Sequence, residues 1–168
     1  PVCDSMYRKR LQGYKAVGYS IAVANEGLFA EPTTETIFDA SDFEKPFHDD
    51  LASAKQSIVI STMRLRWNKT PRIIDLLAAT TLRGISVTIA ISETGHRETE
   101  LQAMGFNIIH RPECKMQCAV IDQRIGWYGS VNLICRSLAD TNVIRMASSD
   151  LANALMVTCV PRALRGSW

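Results

Sequence analysis

Between Phe43 and Arg111 the sequence passes three times from a helical spacing of apolar residues into a short run rich in β-branched residues, with very little between them. Phe43, Phe47, Leu51 and Ala54 recur at steps of three and four, behind Ser41 or Asp42 as a cap and with Glu44 or Lys45 in the first turn, which predicts a helix over 42–55. IVIST at 58–62 follows as a short buried strand. Thr70 and Pro71 open a second helix, with proline at its first position and Ile73, Ile74, Leu77 and Leu82 along one face until Gly84 stops it; the strand ISVTIAI comes directly after. A third helix, over about 96–104, ends at Gly105 and delivers the strand FNIIHR. Steps this short force each helix to lie back across the sheet, so the pattern predicts an α/β fold, an αβα sandwich around a mostly parallel mixed sheet.

The remaining elements are shorter. CAVID and IGWYG read as two strands separated by Gln123 and Arg124, a tight hairpin, although neither separating residue readily adopts positive φ. TNVIRM reads as a strand, and SDLANALM, capped by Ser149 or Asp150, as a final helix. Residues 1–30 hold a basic cluster at Arg8, Lys9, Arg10 and Lys15 with no sustained period and are expected to be a connector or arm; 31–160 form the domain and 161–168 a tail. The chain opens on Pro1, as a piece cut from a longer polypeptide would.

A length of 168 residues suits one domain with its own core. Hydrophobic residues at 46% and charged residues at 21% exclude a disordered chain, and no apolar run approaches the ~20 residues of a membrane-spanning helix. Five cysteines, an odd number without a tight framework, imply at least one free thiol and a reducing, cytoplasmic setting. A net charge of +2 neither requires nor excludes a nucleic-acid partner.

The stretch CKMQCAVIDQRIGWYGSVN, residues 114–132, contains one spacing that chance rarely supplies: six residues separate Asp122 from Gly129, which opens Gly-Ser-x-Asn at 129–132. In this it resembles the phospholipase D superfamily, whose signature is H-x-K-x4-D-x6-G-S-x-N. It looks particularly like the single-motif, nuclease-like branch, including domains at the C-terminal end of some bacterial helicase-like proteins. Lys115 stands where the family has its nucleophilic histidine, and Gln117 where it has lysine.

The resemblance implies a chemistry that these two exchanges undercut. In the family a histidine attacks phosphorus, a second histidine protonates the leaving oxygen, and the lysines, serine and asparagine hold the phosphoryl oxygens. An imidazole with a pKa near 6.5 offers a lone pair at pH 7, whereas an ordinary lysine, near 10.4, is protonated. Restoring nucleophilicity to Lys115 takes a depression of about three units, which a bound anion opposes. Gln117 donates hydrogen bonds but brings no charge. Lys115, Gln117, Ser130 and Asn132 are therefore candidates for an impaired phosphate cradle, with Asp122 and Gly129 as structural braces.

Other candidates surround it. His110, five residues before Lys115, is the rival nucleophile, though strand alternation sets the two on opposite faces unless Pro112 breaks the strand; the plainer reading is a hydrogen-bonded histidine at a strand end. His48 and His96 are expected at the surface. Cys114 and Cys118 form C-x3-C, which even with His110 falls short of a zinc set, so no metal and no cofactor is expected; Cys118 is expected in the core. Asp140 stands where the family places an acidic residue that orients the histidine; without that histidine, a surface position or a salt bridge with Arg145 fits it. Arg64, Arg66, Trp67, Asn68 and Lys69 form a basic loop after the first strand, at the end where α/β folds place ligands. It suits a nucleic-acid backbone, and equally a solvated loop with one tryptophan against the core.

Three functions follow. The leading expectation is a nuclease-like domain that binds phosphodiester or DNA backbone with catalysis lost or very weak, pairing as a homodimer through the face bearing 114–132, inside a larger DNA-processing, helicase-like protein. The alternatives are an active phosphodiesterase using Lys115 or His110 as nucleophile, and an interaction domain without phosphate affinity.

Overall fold

A computed structural model describes residues 34–161, apart from 68, 94, 96 and 136–141. The connector expected over 1–30, its basic cluster and the tail from 162 on lie outside these residues. Described in chain order are β1 (Thr34–Asp39), α1 (Glu44–Ser53), β2 (Ser57–Thr62), α2 (Arg72–Leu82), β3 (Ser86–Ile91), α3 (Glu98–Ala103), β4 (Asn107–His110), β5 (Gln117–Ile121), β6 (Ile125–Gly129), β7 (Asn142–Ala147) and α4 (Ser149–Cys159).

The strands make one seven-stranded mixed sheet in the order β1-β7-β6-β5-β2-β3-β4. β2, β3 and β4 are parallel neighbours, joined by α2 and α3 as the short connections require. The other pairings, β1 with β7, β7 with β6, β6 with β5 and β5 with β2, are antiparallel. Five strands nonetheless point the same way, and only β5 and β7 run against them. The parallel character expected from the helix-to-strand steps is thus confined to neighbours on one side of the sheet, because a hairpin and an inserted return strand build the other side.

Alternation along the strands sorts the core into two layers. Ile58, Ile60, Val87, Ile89, Ala119, Ile121 and Trp127 face α1, α2 and α3, which contribute Phe47, Leu51, Ile74, Leu77 and Leu101. Val59, Cys118 and Val120 face the other way, against Ala152, Met156 and Cys159 of α4. Trp127 is fully buried, stacked on Phe38 at 5.4 Å and edge-on to Phe47 at 5.1 Å. Its indole N–H donates to Asp50 Oδ2 at 2.8 Å, and the same carboxylate accepts from Arg145 Nε at 2.7 Å and Nη2 at 2.9 Å. Arg145 is therefore committed to α1; its expected partner Asp140 lies outside the described residues.

Several sequence expectations shift. β1 was not anticipated: Glu35, Thr36 and Ile37 are exposed on this edge strand, so TETIFD shows no apolar alternation. Pro71 precedes α2 in an extended conformation instead of opening it. Leu82 is 90% exposed, since five residues beyond Leu77 lie far round the helix, and Thr80 takes the inward place. Neither Ser41 nor Asp42 caps α1, the Ser41 hydroxyl being drawn to Asp39. Ser148, not Ser149 or Asp150, caps α4, accepting from Leu151 N–H at 3.4 Å. The hairpin turns on Asp122 and Gln123, at φ of 51° and 54°, with Arg124 N–H donating to Ile121 O at 3.0 Å. Asp122 thus leaves the strand for the turn, because aspartate tolerates the left-handed conformation that Arg124 resists.

Candidate functional site

β1, β2, β3, β4 and β6 all finish at one end of the sheet, where β5 and β7 begin. The sheet therefore gathers at that end the segments after β2, β3, β4 and β6, together with the amino ends of α1 and α2.

Within it two signature positions, Gln117 and Gly129, lie on neighbouring strands. Gln117 opens β5 directly opposite Gly129, the last residue of β6, and Gly129 in turn lies opposite Val143 of β7. A Cβ on Gly129 would stand 2.3 Å from Asn142 O and 2.7 Å from Val143 Cα, so only glycine permits this approach. The closeness lets Ser130 knit to β7: its N–H donates to Asn142 O at 3.0 Å, its hydroxyl donates to the same oxygen at 3.3 Å, and Asn142 N–H returns to that hydroxyl at 3.3 Å. Asn132 Oδ1 accepts from the N–H groups of Ile134 at 3.0 Å and Cys135 at 2.9 Å, folding the chain beyond the motif into a turn. Gln117 Oε1 is buried without a hydrogen-bond donor among the described residues. Lys115 is exposed in the segment leading into β5, with no ion-pair partner among them.

Asp122 sits at the opposite end. Its carboxylate accepts from the backbone N–H groups of Lys55 at 2.9 Å, Gln56 at 2.8 Å and Ser57 at 3.0 Å, fastening the hairpin to the start of β2. His110 ends the edge strand β4, separated from β5 by β3 and β2, and its Nε2 meets Glu98 Oε2 at 2.9 Å. The sheet does not bring His110 to the signature positions. Asp140, Asn68 and His96 lie outside the described residues.

A groove of about 860 Å³ reaches the residues that follow the motif, walled by α1, by residues 66–73 and by Leu133, Ile134 and Cys135, while Lys115, Gln117, Gly129, Ser130 and Asn132 do not line it. That volume lies within the range of small-ligand sites. Phe43, Phe47 and Ile73 give it an apolar base, and Arg66, Lys69 and Arg72 bring positive charge to its rim with no ion-pair partner among the described residues. α1 and α2 both present first turns without a side-chain cap. Lys45, also on the wall, is held by Asp49 at 2.8 Å. His48, expected at the surface, is half-buried on the same wall. Cys135, on the same wall, has a thiol pKa that burial raises. Trp67 packs half-buried against the core with the Arg97 guanidinium 5.7 Å from its ring centre, and its ring N–H is buried without an acceptor among the described residues. Arg64 points away to Glu93, 3.9 Å distant and exposed. Sequence reasoning missed Arg72, although it follows the same basic loop by three residues.

Among solved structures, Nuc, a phospholipase D family member from Salmonella typhimurium, superposes with a TM-score of 0.61 at 18% identity, over 74% of this chain and 90% of that one. NucT from Helicobacter pylori gives 0.57 at 14%, over 74% and 91%. The chain has the phospholipase D fold. Polyphosphate kinase from Porphyromonas gingivalis contains the same fold, matched at a TM-score of 0.58 and 14% identity over 73% of this chain and 22% of the kinase. No family sequence profile matches the chain, and no curated protein matches it by sequence. No helix among the described residues is long and apolar enough to cross a membrane, and no group of three His, Cys, Asp or Glu among them is placed to hold a metal ion.

Proposed function

We propose that this phospholipase D-like domain binds the phosphodiester backbone of nucleic acid at the carboxyl end of its sheet and cleaves it weakly or not at all, as a homodimeric module of a larger DNA-processing, helicase-like protein. The observation that carries the reading is the groove: Arg66, Lys69 and Arg72, without ion-pair partners among the described residues, share with Asp42, Glu44 and Asp49 the lining of a cavity that reaches Leu133–Cys135, directly after the signature, with the amino ends of α1 and α2 adding their positive dipoles. Low turnover is supported by what stands at the reacting positions. Lys115 is an exposed amine that attracts an anion without attacking it, and Gln117 turns a buried carbonyl inward where the family has an ammonium group.

Fluorescence anisotropy with labelled single-stranded and duplex DNA at low salt tests binding, and gel electrophoresis of the same mixtures tests cleavage. Binding that falls steeply with salt is expected, with intact DNA throughout. Replacing Arg66, Lys69 and Arg72 together by Ala should weaken binding at least tenfold and lower the slope of log affinity against log salt by about one for each cation removed. Absence of binding at low salt refutes the reading; cleavage abolished by Lys115→Ala or His110→Ala replaces it with an active phosphodiesterase.

A further inference from the structure

On the α4 side of the sheet, away from the groove, three of the described cysteines converge, two from the C-x3-C stretch and the third, Cys159, from 41 residues beyond Cys118. Cys118 Sγ lies 3.2 Å from Cys159 Sγ, and Cys114 Sγ 3.9 Å from the same atom. All three are buried, and all are free thiols. Beside them Arg111 is nearly enclosed, its side chain 16% exposed. Its Nη2 donates to Thr158 O at 3.2 Å and its Nε to Glu113, but Nη1 is buried with no acceptor among the described residues. A buried guanidinium with an unused N–H, next to sulfur, favours a negative charge on that sulfur.

We propose that Cys118 and Cys159 form a peroxide-oxidisable thiol pair, a modification site that closes to a disulfide between β5 and the end of α4. The Cys159 thiolate attacks one oxygen of a hydroperoxide, forming an S–O bond as the O–O bond breaks; the departing hydroxide takes a proton and leaves as water. Cys118 sulfur then attacks the Cys159 sulfur, forming the S–S bond as the S–O bond breaks, and the second hydroxide leaves as water with the Cys118 proton. The two thiols together lose two electrons, and the peroxide gains them.

The geometry assigns the roles. Closing the pair from 3.2 Å to a bond of about 2.05 Å takes little more than an ångström of movement. Cys114 is the poorer partner: it is farther, its thiol lies 3.5 Å from the Ser61 hydroxyl, and its carbonyl accepts the Ser92 hydroxyl. Cys159 is drawn toward the thiolate first by hydrogen bonding from Cys118, with further help from Ser61, Cys114 and Arg111. That bond, together with burial, holds Cys118 in its protonated form. Cys159 is also the last residue of α4, so fraying of a single helical turn opens a path to a small oxidant. Cys118 follows Gln117 directly, so the staple would anchor the strand that carries the signature position.

The test uses the full chain with Cys3→Ser, treated with stoichiometric hydrogen peroxide, alkylated under denaturing conditions, digested and read by mass spectrometry. The expected product is a Cys118–Cys159 cross-linked peptide that dithiothreitol reverses, with Cys135 alkylated as a free thiol. Cys114→Ser should keep the cross-link, and Arg111→Gln should slow its formation severalfold at pH 7, because less of the Cys159 thiol is then ionised. Sulfinic or sulfonic products without the cross-link, or a cross-link to Cys114 in equal yield, overturn the pairing. An unchanged rate in Arg111→Gln overturns the role of the guanidinium.

Discussion

Asp122 shows how one side chain holds two distant segments. Its carboxylate satisfies three backbone N–H groups at the entry to β2 while its backbone occupies the left-handed turn. Asp122→Ala should lower unfolding stability by about 2–3 kcal/mol in urea titrations, the range for charge-assisted bonds to otherwise unsatisfied donors. The spacing to Gly129 made the residue conspicuous in the sequence, but its partners at 55–57 were not legible there. The thiols illustrate the opposite case: C-x3-C drew attention to Cys114 and Cys118, whereas both meet Cys159, at 3.9 and 3.2 Å, whose position only the docking of α4 determines. Cys159 has a folded pKa below the ordinary thiol value near 9. Its ionisation therefore contributes stability that is complete above that value and is lost as the pH falls toward neutrality. The stability difference between wild type and Cys159→Ser, measured by denaturant titration under reducing conditions, should accordingly shrink as pH falls from 9 to neutrality.

At the scale of elements, legibility follows burial. β2 and β3 are enclosed on both faces, so their sequences are nearly continuous apolar runs and announced themselves. β1 contributes mainly backbone pairing to β7 and leaves Ile37 71% exposed, so nothing in its composition marked it as a strand. Packing between elements rests on a few close approaches with little tolerance. Gly129→Ala would drive a Cβ into the β7 backbone and should cost about 3 kcal/mol, read as a thermal midpoint lower by roughly 6–12 °C. Asp50→Asn would leave Arg145 partly buried without its counter-charge, with an expected cost of about 2–3 kcal/mol by urea denaturation.

At the scale of the molecule, the end of the sheet where the candidate site lies was legible, because loops at the carboxyl ends of parallel strands follow from the order of elements. The groove was not, since its walls come from 41–49, 66–73 and 133–135, segments that no local pattern connects. The proposed pairing of two chains through the face bearing 114–132, where Tyr128 is 44% exposed, predicts a dimer by analytical ultracentrifugation and a monomer for Tyr128→Glu. The placement of β1 carries a different implication. Its neighbour in the sheet is β7, the last of the described strands, so Thr34 is paired with Ala147 across almost the whole described domain. On the ribosome β1 lacks this partner until β7 has emerged, and a nascent chain ending before residue 142 leaves the edge that β7 covers open to chaperones and to its neighbours.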